Sequence, residues 1–328
     1  MEAWRCGLVY ERKTLVFGGP GQMIIRISNK YGTWDGAKTG KGYFAQRLIC
    51  ALQALGVEVI TDPKPKADID LQFGKHSYEP NARKNIVRMG PAHVGKDHRE
   101  QNVKKRQALK HADAIIYQSE FGRKMCDAFL GTFKGGPAKV IFNGADQDIF
   151  NKGMKLDGPY LFIASTRAWT PQKRLNDIIN AFRLADIPDA ELGIIGDIEP
   201  AVLDGNIEIY GPRNQGFVAR MLGRAHTLIS IVWLDCMPNS ACEAICAGCN
   251  VVTTSASGTP EIAPSLVLQE TEWDFGPCDP MNPPKVDRNA LAELMRKAIK
   301  APAPDPWPVD INNIAKQYLA FFEEVLHG

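Results

Sequence analysis

The sequence has no apolar run that approaches the ~20 residues of a membrane-spanning helix, so no transmembrane segment is expected. Its opening, Met1-Glu2-Ala3-Trp4-Arg5-Cys6, lacks the basic-then-apolar order of a secretory signal, and the expected location is the cytoplasm. Neither sign of charge dominates: 39 Lys and Arg stand against 37 Asp and Glu, a formal net charge of +2. That excludes a global field able to hold nucleic acid without specificity, so any basic partner surface has to be local. His93, His98 and His111 have no Cys or acid at metal-ligand spacing, and no metal site is expected. A Walker A loop is also missing. Asp35 stands where its first glycine belongs, and Gly42 stands where Ser or Thr must follow Gly40-Lys41, which argues against an ATPase. Eight cysteines in 328 residues fit reduced, buried thiols better than a disulfide framework.

What is present is the ordinary globular balance, 45% hydrophobic and 23% charged. The length suggests two domains at roughly 100–200 residues each. After a stretch at 1–22 with one candidate strand pair around Leu15-Val16-Phe17, strands and helices alternate. Strands are expected at 23–28, 57–60, 69–73, 85–89, 114–117 and 139–142, with helices at 43–55, 100–111 and 119–129. Gly56 stops the first helix and Ser119 caps the third. Asn143-Gly144 then marks a turn, and residues 145–158 read as a linker. The alternation restarts with strands at 161–164, 192–195, 207–210, 228–232 and 251–254 and helices at 175–184, 217–224 and 240–247. Strands joined by crossover helices give parallel sheets covered on both faces. The fold class is therefore α/β, with a first domain over 1–150 and a second over 151–308. Residues 264–308 look proline-rich and irregular, and 311–326 is an amphipathic helix with Ile314, Tyr318, Phe321, Phe322 and Val325 on its apolar face.

Ligands of open parallel sheets bind beyond the carboxyl ends of the strands. There Asp235 sits in a loop and Glu243 in the first turns of a helix, with backbone N–H groups of the helix start between them. Read alone, this fits a capped surface helix as well as an anion site. Arg167 and Lys173-Arg174 follow another strand end, where cations neutralise a diphosphate or simply face solvent. Gly36, Gly40 and Gly42, with Lys38 and Lys41, form a loop that lets backbone approach a phosphate or sugar. His93 follows a strand end and can face a cleft. Cys242, Cys246 and Cys249 have iron–sulfur spacing, but the first two fall inside a helix, where apolar packing is the better reading.

Taken in order, these pieces resemble the family-4 retaining glycosyltransferases (glycosyltransferase group 1), from about Met23 to the C-terminus. The most specific part runs over 161–261: Thr166-Arg167 with Lys173-Arg174, then Asp235 and Glu243 eight positions apart, then Gly248 and Ser257-Gly258-Thr259-Pro260-Glu261. In the first half, Gln118-Ser119-Glu120-Phe121 and Val140-Ile141-Phe142-Asn143-Gly144-Ala145-Asp146 resemble the family's last strands before the linker. The resemblance implies a GT-B fold, two Rossmann-like domains facing each other across a cleft, with the final helix (309–328) packed back on the first, acceptor-side domain. It implies hexosyl transfer from a nucleotide-sugar donor, UDP-, GDP- or ADP-linked, with retention at the anomeric carbon and without a metal or other cofactor. Glu243 would hold the donor ribose, and Asp235 the transferred sugar. Arg167 and Lys173 would stabilise the leaving diphosphate, and amides near Asn239, Ser240 and Ala241 would meet sugar or phosphate. Gly42 and Gly211 complete the expected donor set, and His93 stands nearest the place of the family's first-domain catalytic residue. Aspartate at 235 departs from the family's usual glutamate.

The acceptor is not legible: glycan, lipid-linked glycan, small molecule, protein and modified nucleic acid all stay open, as does peripheral membrane contact. Residues 96–110 carry six Lys or Arg against two acids and read as a solvated face or as a basic rim for an anionic acceptor. A nucleotide-sugar epimerase of GT-B type and a catalytically impaired nucleotide-sugar-binding protein are the alternatives.

Overall fold

The computed structural model describes residues 23–27, 39–62, 65–74, 82–151 and 160–328. The strand pair expected within 1–22, together with Gly36, Lys38 and the second half of the expected linker, lies outside them. The first half runs β1 (Ile24–Arg26), α1 (Gly40–Ala54), β2 (Glu58–Ile60), β3 (Ala67–Phe73), β4 (Ala82–Arg88), α2 (His98–Gln101), α3 (Val103–His111), β5 (Ala114–Tyr117), α4 (Glu120–Leu130) and β6 (Ala138–Val140). The second half runs β7 (Tyr160–Ala168), α5 (Leu175–Ala185), β8 (Ala190–Asp197), β9 (Ala201–Leu203), β10 (Ile207–Gly211), α6 (Gln215–Arg224) and β11 (Thr227–Ser230). It continues with α7 (Asn239–Cys246), β12 (Asn250–Thr254), β13 (Val267–Leu268), α8 (Arg288–Ala298) and α9 (Ile311–His327).

The strands form two sheets. The first is ordered β2-β1-β3-β4-β5-β6 and is parallel throughout. The second is ordered β13-β12-β11-β7-β8-β10-β9, parallel except where β9 runs antiparallel to β10. Central strands such as β5 and β12 are buried at every residue, because helices cover both faces. The helices follow local signals. Thr39 Oγ1 caps α1 by accepting the Gly42 N–H at 3.1 Å, and Ser119 Oγ does the same for α4 from Gly122 at 2.9 Å. Gly56 follows α1 at φ +82, a conformation that suits glycine.

The structure departs from the sequence pattern at four places. The helix expected at 100–111 breaks at Asn102, whose side chain turns inward to clamp the His93 backbone. Its Oδ1 accepts the His93 N–H at 2.9 Å, and its Nδ2 donates to the His93 carbonyl at 2.8 Å. The irregular region 264–308 contains α8, capped by Asp287 and packed on α5. The short strand β9 has no signature in the sequence, because its three residues carry no period. The strand expected at 161–164 continues to Ala168, so Arg167 lies at the end of a longer β7.

Core packing ties the two sheets together. α9 lies against α1, with Ile314, Tyr318, Phe321 and Phe322 in the same apolar cluster as Phe44, Leu48, Ile69 and Ile116. The chain reaches it through Asp310, whose Oδ1 caps α9 and whose backbone pairs with Ala145. A second cluster mixes Val87, Ile115 and Phe129 with Trp233, Leu234 and Cys236 from the other half. Glu261 completes the joint: its carboxylate accepts the N–H groups of Glu120 and Phe121 at 2.8 and 2.9 Å, capping α4 from across the boundary.

Candidate active site

Between the sheets lies a cleft of about 1670 Å³, lined from both halves. Its second-half wall is built by the ends of β7, β8, β10 and β11 and the loops after them. Arg167 lies exposed at the end of β7, and the turn at 171–173 carries Lys173. That turn is tied to the β11–α7 loop by two bonds: Gln172 Nε2 to the Trp233 carbonyl at 2.7 Å and the Trp233 N–H to the Gln172 carbonyl at 3.1 Å. Lys173 Nζ thereby comes to 3.5 Å from Asp235 Oδ2. Asp235 Oδ1 also accepts the Met237 N–H at 3.1 Å, which holds its short side chain over the cleft.

Leu234, just before Asp235, sits at φ +59, a strained conformation for a bulky residue. Its N–H is held by the Ala256 carbonyl at 2.8 Å. Such strain is concentrated at functional loops, and no sequence signal announces it. Gly196, at the end of β8, lines the cleft at φ +148, where a Cβ would run into the Thr166 carbonyl oxygen. Only glycine lets β8 end this close to the Thr166-Arg167 corner.

At the start of α7, Asn239, Ser240 and Glu243 line the cleft, whereas Ala241 is buried and its N–H bonds to the Pro238 carbonyl at 3.1 Å. Ala241 is thus packing rather than a donor contact. Gly42 is buried with its N–H committed to Thr39, and the cleft-lining members of that loop are Gly40 and Lys41. Gly211 ends β10 at φ +72, and the cleft is lined by Pro212 and Arg213 after it. Arg174 also turns away. It is 3% exposed and makes a bidentate pair with Glu270 at 2.7 and 2.6 Å.

The first-half wall comes from α1 and the loop after β4. His93 is exposed and lines the cleft together with Lys96, Asp97, Gln101 and Lys105. Of the rest of the basic segment, Arg106 bends back onto the Arg99 and Phe129 carbonyls. The rim is therefore narrower than the run of charges suggests.

Two cross-cleft contacts escaped sequence reading. Arg47 on α1 reaches Glu243 on α7, Nη2 to Oε1 at 2.5 Å, with side-chain exposures of 5% and 14%. Asn143 is the second. Its Nδ2 donates to the Met237 carbonyl at 2.8 Å and to Asn239 Oδ1 at 2.9 Å, its Oδ1 accepts from Arg88, and Asn239 Nδ2 in turn donates to the Gly40 carbonyl at 2.7 Å. The Asn239 side chain therefore links the halves. In the sequence Asn143 marks a turn within the family-like run 140–146, and nothing there signals this contact.

The cysteines at iron–sulfur spacing do not converge. Cys242 Sγ donates to the Asn143 carbonyl, Cys246 to those of Ala145 and Val309, and Cys249 to those of Leu222 and Ala225. Burial pushes the Cys242 thiol well up and the Cys246 thiol up to about 12. No group of three His, Cys, Asp or Glu able to hold a metal lies among the described residues. Likewise no described helix is long and apolar enough to cross a membrane.

No protein-family model matches the chain, and no curated protein matches it by sequence. Solved structures do. Sucrose-phosphate synthase from Thermosynechococcus elongatus superposes with a TM-score of 0.60 at 14% identity, over 93% of this chain and 96% of that one. AviGT4, a glycosyltransferase involved in avilamycin A biosynthesis, gives 0.58 at 16% identity, over 93% and 98%. Anabaena HepE, solved with UDP and glucose, gives 0.55 at 12% identity, over 92% and 95%. The fold is GT-B: two Rossmann-like domains facing each other across a cleft.

Proposed function

We propose that this chain is a family-4-like glycosyltransferase that moves a hexose from a nucleotide-sugar to an acceptor with retention and without a metal. The observation that carries the reading is the convergence on one cleft wall of Arg167 and Lys173 after β7 with Asp235 and Glu243 after β11. Arg167 and Lys173 supply preorganised positive charge where a diphosphate leaving group develops its own, the work a divalent ion does elsewhere. Glu243 keeps Oε2 for ribose hydroxyls while Oε1 holds Arg47. Asp235, fixed by Lys173 and the Met237 N–H, faces the transferred sugar. His93, held on the opposite wall by the Asn102 clamp, is the first-half group assigned to the reacting sugar in this reading. A UDP-linked donor is favoured by analogy with the HepE complex.

The test is transfer itself. The full chain is incubated with UDP-, GDP- and ADP-glucose and mixed acceptors, and products are read by proton NMR. The reading expects nucleoside diphosphate release and an α-linked product from an α-linked donor. A β-linked product refutes retention. Interconversion of free nucleotide-sugar without transfer would instead establish an epimerase.

A further inference from the structure

Among the described residues, the buried arginines Arg47 and Arg174 each have a carboxylate: Arg47 has Glu243 and Arg174 has Glu270. Arg88, at the end of β4 and 4% exposed, has none among the described residues. Its guanidinium lies over the Phe44 ring at 4.2 Å and the Phe73 ring at 5.3 Å, and Nη2 donates to Asn143 Oδ1. The neutral Tyr318 hydroxyl stands beside it, and Arg88 Nε is buried with no acceptor among the described residues. Burial pulls the Arg88 pKa below its ordinary value, yet arginine keeps its proton in proteins. Ring faces attract a cation, but they do not supply the acceptors that its N–H groups need. Buried charges in proteins are ordinarily paired, and an unpaired one in a cleft wall marks where a ligand brings the opposite charge.

The surroundings fit such a ligand. Arg88 lines the cleft, and the neighbouring strand ends close on Gly74 and Gly90, which carry no side chain to fill the space. Lys96 lines the same half from the loop after β4. The cations suited to the donor diphosphate, Arg167 and Lys173, stand on the second-half wall. Arg88 belongs to the other half, so the charge it awaits is not that of the nucleotide.

The geometry points to an anion subsite anchored by Arg88 that takes a phosphate or carboxylate group carried by the acceptor. This rests on the glycosyltransferase reading only for the word acceptor; the subsite itself stands on the unpaired guanidinium. The acceptor is then a phosphorylated or acidic sugar rather than a neutral one.

Calorimetric titration of the full chain tests it, with saturating UDP present to occupy the diphosphate cations. The probes are glucose 6-phosphate, glucuronate and glucose. The expected result is that at least one anionic probe binds tenfold or more tighter than glucose, that Arg88→Gln erases the preference, and that UDP affinity changes less than twofold. Arg88→Lys, which keeps the charge but not the fork, weakens the preference in part. Equal binding of all three probes to the wild-type chain overturns the proposal, and this arm decides even if Arg88→Gln fails to fold. Retained preference in Arg88→Gln, or a parallel loss of UDP binding, overturns it too. A parallel comparison of UDP-glucuronate with UDP-glucose separates the sources: an Arg88-dependent preference there puts the anion on the transferred sugar and overturns the acceptor assignment. Should UDP itself not bind, the donor reading has failed, and inorganic phosphate titrated into wild-type and Arg88→Gln chains still decides the subsite: Arg88-dependent binding supports it, and no such binding overturns it.

Discussion

Arg47 and Glu243 stand 196 positions apart in sequence and 2.5 Å apart in space, joining α1 of one half to α7 of the other across the cleft. A pair this shielded is costly to break on one side, because the survivor stays buried and uncompensated. Glu243→Ala and Arg47→Ala should each destabilise the chain, and the double variant should lose clearly less than their sum. A coupling of about 0.5–3 kcal/mol in a double-mutant cycle, read by urea denaturation, is the expected outcome. Additive losses would mean that the contact links nothing.

Arg167→Ala and Lys173→Ala should lower kcat more than they weaken donor binding, since charge on the leaving diphosphate grows in the transition state. A loss of about 10²–10³ in kcat is expected for either. Equal losses in donor affinity and turnover, measured by calorimetry and initial rates, would assign both residues to ground-state binding.

Gly196→Ala should destabilise by about 1–3 kcal/mol, because alanine is strained at φ +148 and its Cβ meets the Thr166 carbonyl. The β7 corner that carries Arg167 would shift with it, so turnover should fall as well. A variant with wild-type melting temperature and rate would show that the corner tolerates a side chain.

Burial raises the thiols of Cys126 and Cys246 to about 12, and those of Cys236 and Cys242 well above their usual value. The thiolate is the reactive form, so these four should resist iodoacetamide at pH 8 until the chain unfolds. Cys50, which is exposed, should be alkylated in the native chain. Mass-spectrometric mapping that finds Cys242 or Cys246 labelled natively would contradict the packing of α7.

The alternation of strands and helices was legible because period and punctuation are local. Ser119 caps α4 and Gly56 follows α1 where the sequence marks them. Asp235 and Glu243 could be chosen as candidates because the helix start between them is a local motif. Their partners could not. Arg47 lies inside an amphipathic helix and reads as one more surface cation, and Asn143 reads as a turn. Asn102 broke a helix for a contact with the His93 backbone nine residues earlier, against its neighbours' helical pattern. Gly42, Gly211 and Ala241 sit beside cleft-lining residues in sequence, and a shift of one or two positions separates a lining residue from a packed one. Spacing alone does not resolve that difference.

The central claim is that Glu243 belongs to a nucleoside diphosphate site, and calorimetric titration of UDP, GDP and ADP into the wild-type chain and Glu243→Ala tests it most directly. The account predicts that one of the three binds the wild-type chain and that Glu243→Ala loses about 1–3 kcal/mol of that affinity, since ribose hydroxyls lose their acceptor. A wild-type chain that binds none of the three, or a variant that binds as tightly as the wild type, would contradict it.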